Sequence, residues 1–313
     1  MAQRSNVVTV NNFMGGPYIT IEEFSNTLTT LLTAHKQWFQ SKITMPNTPS
    51  PVPPIFVYGP PGVGKTQVIT TLGAELGYDV RVMIASTMDP VEVRGIPVPI
   101  IDQAVKYPNS PDGFTVWMPD QVFKRSVDRP VIYFFDELNL APPAVQAALY
   151  RLILEGKLEK IDISMHVRIG AGNERNVVPN ANPLTVPLET RFAVYYVRPD
   201  AEAWLTWAKK NGVDSRVINY LSTYKDQIYH IDTMNMTIAK ATPRGWERVS
   251  NLLKLNLTSK YDIASSVGFR IADDFMRYLE TVKPRITPES AVSGWLKGGK
   301  PEKGKVKKSE GWY

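Results

Sequence analysis

The sequence predicts an α/β fold, a five-stranded parallel sheet flanked by helices, followed by an all-α C-terminal domain. Three observations point to it. A short apolar run, Ile55 to Tyr58, leads into Gly59-Pro60-Pro61-Gly62-Val63-Gly64-Lys65-Thr66 and then a helix-favouring segment from Gln67 to Leu76. A second apolar run, Val131 to Phe135, ends in the acidic pair Asp136-Glu137. From Asp200 onward the apolar period is helical.

Taken in order, residues 1–19 are polar and carry Gly15-Gly16-Pro17, which reads as a loop or arm. From Thr20 to Phe39, Phe24, Leu28, Leu31, Leu32 and Trp38 recur at near-helical spacing, with Glu22 and Glu23 in the first turn after Thr20. Five prolines between Pro46 and Pro54 make a stiff lead into the first core strand. Asp79 to Ala85 reads as a second buried strand. Met88 to Val127, with its prolines and short β-like runs, reads as a hairpin inserted between core elements. Val131 to Phe135 is the third strand, and Pro142-Pro143 open a helix reaching about Glu155. Ile161 to Ile169 alternates as a strand that runs into Gly170-Ala171-Gly172-Asn173, and Ala193 to Val197 is the last. Helices are expected over Ala203 to Lys210, Ser215 to Tyr224, Pro243 to Leu255 and Ile263 to Val282. The expected domains are an N-terminal arm and helix (1–49), an α/β core (50–199, insert about 88–127), a helical domain (200–283) and a basic tail (284–313).

The glycine loop has a specific chemistry. Glycines let successive backbone N–H groups turn inward around a phosphate, and the helix that follows points its positive end at the same anion. Gly59, Pro60, Pro61, Gly62, Val63, Gly64, Lys65, Thr66 and Gln67 are therefore the candidate phosphate-binding residues. Lys65 is placed to reach the outer phosphates of a nucleoside triphosphate, and the Thr66 hydroxyl to ligate Mg²⁺. A buried strand that delivers Asp136-Glu137 at its carboxyl end supplies the other half of such a site. Asp136 would hold Mg²⁺ directly or through water, and Glu137 would polarise an attacking water.

Composition narrows the alternatives. The chain has 313 residues and no cysteine, which excludes disulfides, zinc thiolates and cysteine nucleophiles. No run of about eighteen apolar residues predicts a transmembrane helix, and no membrane partner is expected. Met1 to Val10 lacks the layout of a secretory signal, and a need for ATP argues for a cytoplasmic protein. The three histidines, His35, His166 and His230, sit in no metal-ligand spacing. Net charge is +6, and much of the excess lies between Lys297 and Lys308, six lysines against Glu302. That run reads as a solvated tail, or as a nucleic-acid contact.

On these residues the chain resembles the AAA+ ATPases, and within them the MoxR branch. Gly59 to Thr66 is similar to Walker A and Val131 to Glu137 to Walker B, and the continuation Asp136-Glu137-Leu138-Asn139-Leu140-Ala141-Pro142-Pro143 resembles the MoxR pattern D-E-x-N-x-A-P-P. The resemblance, over about residues 50–256, implies an AAA+ core with a helical lid and further site residues. Asn173 matches the first sensor, which positions the lytic water. Arg191, before Phe192, matches the arginine finger, although an aspartate commonly precedes it there and Arg175 is the rival position. Arg244, within Thr242-Pro243-Arg244-Gly245-Trp246, matches the second sensor. Tyr18-Ile19 is the candidate for the adenine pocket. The resemblance further implies ATP and Mg²⁺, self-assembly into a homo-oligomeric ring expected as a hexamer, and chaperone-like remodelling of a protein substrate, with a partner that bears a von Willebrand factor A domain. The competing expectation is a nucleic-acid motor or loader that uses the basic tail. Within the inserted hairpin, Val116 and Trp117 could grip a peptide or pack the hairpin's base.

Overall fold

The computed structural model describes residues 7–9, 17–41, 50–100, 114–124, 126, 128–174, 178, 181–182, 189–235 and 237–282. The chain divides into two compact units, residues 10–203 and residues 1–9 together with 204–313. Strand β1 (Val7–Thr9) belongs to the latter.

The unit of residues 10–203 opens with β2 (Tyr18–Thr20) and α1 (Ile21–Ser41). Thr20 and Glu23 cap α1 reciprocally. The Glu23 backbone N–H donates to Thr20 Oγ1 (3.1 Å), and the Thr20 N–H donates to the Glu23 carboxylate (2.7 Å). Phe24, Leu28, Leu32, His35, Trp38 and Phe39 form the buried stripe of α1. Its threonines satisfy their hydroxyls on carbonyls one turn back, as at Thr29 and Thr33 (both 2.8 Å).

Next come β3 (Ile55–Tyr58), α2 (Lys65–Glu75) and β4 (Asp79–Ile84). The insert contains α3 (Pro90–Arg94) and an antiparallel hairpin of β5 (Ile96–Ile100) and β6 (Phe114–Met118). The hairpin's tip, residues 101–113, lies outside the described residues. Then follow β7 (Val131–Asp136), α4 (Pro143–Glu155), the short strands β8 (Lys157–Leu158) and β9 (Ile161–Asp162), β10 (Val167–Gly172) and β11 (Ala193–Arg198).

The main sheet runs β2-β11-β3-β10-β7-β4, with every pair parallel. Its central strands are apolar on both faces because both are covered. Phe56, Tyr58, Tyr133 and Phe135 pack on the α4 side, whereas Ile55, Val57, Ile132 and Phe134 join Phe24, Leu28, Leu32 and Ile69 on the side of α1 and α2. This is the expected α/β core with a sixth strand added, since Tyr18–Thr20, read from sequence as the end of a loop, pairs with Tyr196–Arg198.

Two expectations need correction. The strand expected over Ile161 to Ile169 is broken, because the Asp162 carboxylate accepts from both the backbone N–H (3.1 Å) and the hydroxyl (2.6 Å) of Ser164 and forces a turn. The helix expected over Ile263 to Val282 is two helices, parted at Gly268. That glycine has φ 88°, and a Cβ on it would lie 2.6 Å from the Ile238 carbonyl.

Helix α5 (Ala201–Lys210) carries the chain into the other unit, which adds α6 (Ser215–Thr223), β12 (His230–Asp232), β13 (Lys240–Ala241), α7 (Pro243–Lys254), α8 (Lys260–Val267) and α9 (Phe269–Val282). Its helices pack around Tyr220, Trp246 and Phe275, with ring centroids 5.1–5.7 Å apart. A small antiparallel sheet, β1-β12-β13, accompanies the helices. No helix among the described residues is long and apolar enough to cross a membrane.

Candidate nucleotide site

Strands β3, β10 and β7 end side by side. Parallel pairing sets Gly172 against Tyr58 and Gly170 against Phe135. Gly59, Asn173, Asp136 and Glu137 therefore emerge together at the carboxyl end of the sheet, where open α/β folds bind their ligands.

The loop after β3 depends on its glycines in two ways. A Cβ on Gly59 would lie 2.8 Å from the Val197 carbonyl oxygen, and Gly62 and Gly64 hold φ values of 77° and 102°. Pro60 and Val63 are buried, and Pro61, Gly62 and Gly64 half-buried. Helix α2 begins at Lys65, so its first-turn N–H groups and dipole face the loop. Lys65 is buried, and its Nζ donates to the carbonyls of Gly59 (2.6 Å) and Pro60 (3.3 Å) and to Asn173 Oδ1 (3.3 Å). All three acceptors are neutral, so a phosphate oxygen is a stronger partner for this ammonium than any of them. Gln67 lies exposed on the first turn of α2.

Thr66 Oγ1 donates to Asp136 Oδ2 at 2.6 Å. This hydroxyl-carboxylate pair fits Mg²⁺, which takes one or two protein oxygens and completes its shell with phosphates and water. Among the described residues no group of three or more His, Cys, Asp or Glu side chains could hold a metal ion, so a cation at Thr66 and Asp136 would rely on substrate oxygens.

Glu137 follows Asp136 with φ 55° and ψ 30°, a left-handed conformation that is uncommon for a residue with a Cβ. Such backbone persists where the surroundings over-determine it. Here the Glu137 N–H donates to Asp136 Oδ1 (2.9 Å), and the Ser86 hydroxyl donates to the Glu137 carboxylate (2.5 Å). Asn173 is buried beside Lys65 and bonded through its backbone to the Asn139 side chain (2.7 and 3.0 Å).

Lys65, Thr66, Asp136 and Asn173 are thus joined in one group with the loop, and Glu137 adjoins it. Arg191 is exposed on the turn before β11. Its neighbours hold that turn. Phe192 is buried against Phe56 and Tyr150, and Glu189 accepts from the Tyr196 hydroxyl (2.8 Å). Arg175 lies outside the described residues. Arg244 is exposed in the first turn of α7, in the other unit, where the Thr242 hydroxyl accepts from the Gly245 N–H (3.0 Å). Tyr18 of the Tyr18-Ile19 pair donates to Glu174 (2.7 Å) and meets Tyr196 edge-on, and burial with that carboxylate raises its pKa to about 12. Ser86 was missed in the sequence, as was the role of the Asn139 side chain. Each is a lone polar residue whose partner is distant in sequence, and a buried or short polar contact is the only signal of either.

A phosphate loop after β3 and an acidic pair at the end of β7, one strand removed across β10, define a P-loop nucleotide-binding core. Residues 54–192 match the family model of the AAA domain (dynein-related subfamily), to which the P-loop α/β core of this segment is similar. No curated protein matches the chain. Similar solved structures include the Thermotoga maritima RuvB Holliday junction branch migration motor, at 16% identity over 89% of this chain and 78% of that one, with a TM-score of 0.38. A single-residue variant of T. maritima RuvB matches at 16% identity over 90% of this chain and 77% of that one, with a TM-score of 0.42.

Proposed function

We propose that this chain is a Mg²⁺-dependent ATPase that works as a homo-oligomeric ring, a hexamer, and remodels or matures a partner protein in the manner of a chaperone. The observation that carries the reading is the junction of Lys65, Thr66, Asp136 and Asn173 around the glycine loop, with Glu137 beside it. Loop amides and Lys65 bind the ATP phosphates, and Thr66 and Asp136 hold Mg²⁺, which neutralises phosphate charge when bound. Glu137, fixed by Ser86, orients and polarises the attacking water, and Asn173 holds that water from the other side. Rate comes from placed charge, since phosphoryl transfer to water needs little covalent work from the protein. Arg191 acts on a neighbouring subunit's ATP, and its exposure on an anchored turn supports that role. Arg244 keeps the second-sensor role that the resemblance implies for it.

The protein substrate and a von Willebrand factor A domain partner are supported by the D-E-x-N-x-A-P-P run at Asp136 to Pro143. In the insert, Val116 is buried and Trp117 half-buried, so these two pack the hairpin's base, whereas Ile96, Val98 and Met118 on the hairpin are exposed and suit an apolar contact. The lysines from Lys297 to Lys308 favour a second reading, a nucleic-acid motor or loader that uses the basic tail. Salt-sensitive DNA binding with DNA-stimulated turnover would select it over stimulation by a protein partner.

Glu137→Gln tests the first reading. This variant keeps the side chain's shape and removes its charge, so it should bind ATP, retain it and assemble, with phosphate release reduced on the order of a hundredfold or more. Parental turnover by Glu137→Gln would refute the assignment.

A further inference from the structure

We propose that Asn139 is a positioning residue for ATP hydrolysis, whose side-chain amide fixes the backbone of Asn173 and so aims the Asn173 carboxamide. The proposal rests on the ATPase reading above. Asn139 lies in the short 3-10 turn after Glu137 and is 1% exposed. Its Nδ2 donates to the Asn173 carbonyl (2.7 Å), and its Oδ1 accepts from the Asn173 N–H (3.0 Å). One planar amide thus satisfies both backbone groups of one residue, as a neighbouring strand would at the point where β10 ends.

The surrounding residues make room for that pairing. A Cβ on Gly172 would lie 2.7 Å from Asn139 Oδ1 and 2.8 Å from its Cγ, so only glycine at 172 lets the amide approach. A Cβ on Gly170 would lie 2.9 Å from Leu138 in the same turn. The Asn139 carbonyl also accepts from the Asn182 N–H (3.1 Å), which ties the chain beyond Asn173 to the same point. With its backbone clamped, Asn173 presents Oδ1 to Lys65 Nζ at 3.3 Å. The turn that begins at Glu137 therefore also sets the group across the site from it, and the two flanks of the attacking water are built as one piece. Reactions that depend on placement are sensitive to this, since a displacement of about 1 Å can cost on the order of 10²-fold in rate.

The test measures kcat and ATP affinity for the parent, Asn139→Ala, Asn173→Ala and the double variant. Asn139→Ala should bind ATP within about threefold of the parent while kcat falls about ten- to a hundredfold. The double variant should be no slower than Asn173→Ala alone, because Asn139 acts only through Asn173. Asn139→Asp, of equal size, keeps the acceptor but sets an oxygen against the Asn173 carbonyl. Gly172→Ala leaves Asn139 in place and pushes its amide aside. Both should reproduce the loss, and either serves if Asn139→Ala does not fold. Parental kcat in these variants, or losses that multiply in the double variant, would overturn the role alone. A parent that binds ATP and never hydrolyses it would overturn the ATPase reading and this role with it.

Discussion

Replacing Lys65 by methionine keeps the length of a buried stem and deletes its charge. In the structure that charge faces two carbonyls and one carboxamide, and in the proposed complex it faces phosphate oxygens. A hydrogen bond to a charged group contributes about 1.5–3 kcal/mol, which is roughly a ten- to hundredfold change in Kd. Thermal unfolding reads this through linkage. ATP at about a hundred times the parental Kd stabilises the parent by about 2.7 kcal/mol. The same concentration would stabilise Lys65→Met by about 1.3 kcal/mol at most, and by about 0.3 kcal/mol at the weaker end. Each kcal/mol moves the melting temperature of a chain of this size by roughly 2–4 °C, so the parental shift is about 5–10 °C and the variant's at most about half of it. Both proteins are compared with and without ATP, each against its own baseline, which removes any change in intrinsic stability. Equal ATP-induced shifts would mean that the phosphates do not meet Lys65, and the assignment of the loop would fall.

Acid should destabilise the fold through two histidines. Burial holds His35 and His166 at a pKa of about 4, below the usual 6.5. The unfolded chain therefore binds more protons between these values, and stability falls as pH drops from about 6.5 toward 4. Each histidine accounts for at most about 2 kcal/mol at pH 5 relative to pH 7; urea midpoints at the two pH values measure it, and equal midpoints would contradict the burial argument. If Arg191 completes a neighbour's site, Arg191→Ala should lose on the order of 10³-fold or more in turnover. Mixing Arg191→Ala with Lys65→Ala subunits should restore part of that turnover, and no recovery in rings shown to be mixed would redirect attention to Arg175.

The nucleotide core was legible because its signals are local. A glycine loop between an apolar run and a helix, and an apolar run that ends in two acids, each carry their meaning within a dozen residues. Strand β2 was not legible, since three residues show no period and their pairing partner, Tyr196–Arg198, is far along the chain. The break at Gly268 was hidden for the opposite reason. The apolar period continues through it, and the need for a residue without a Cβ arises from a φ of 88° and the approach of the Ile238 carbonyl. Asn139 read from sequence as part of a motif, but what its amide does depends on Asn173, brought beside it by the pairing of β7 with β10.

Because β1 belongs with residues 204–313 while β2 belongs to the nucleotide core, the backbone passes between the two units twice, once between Thr9 and Tyr18 and again along α5. Cutting the chain between Thr9 and Tyr18 would leave a single covalent passage, along α5, and would turn β1 into a separate strand paired with β12 over three residues.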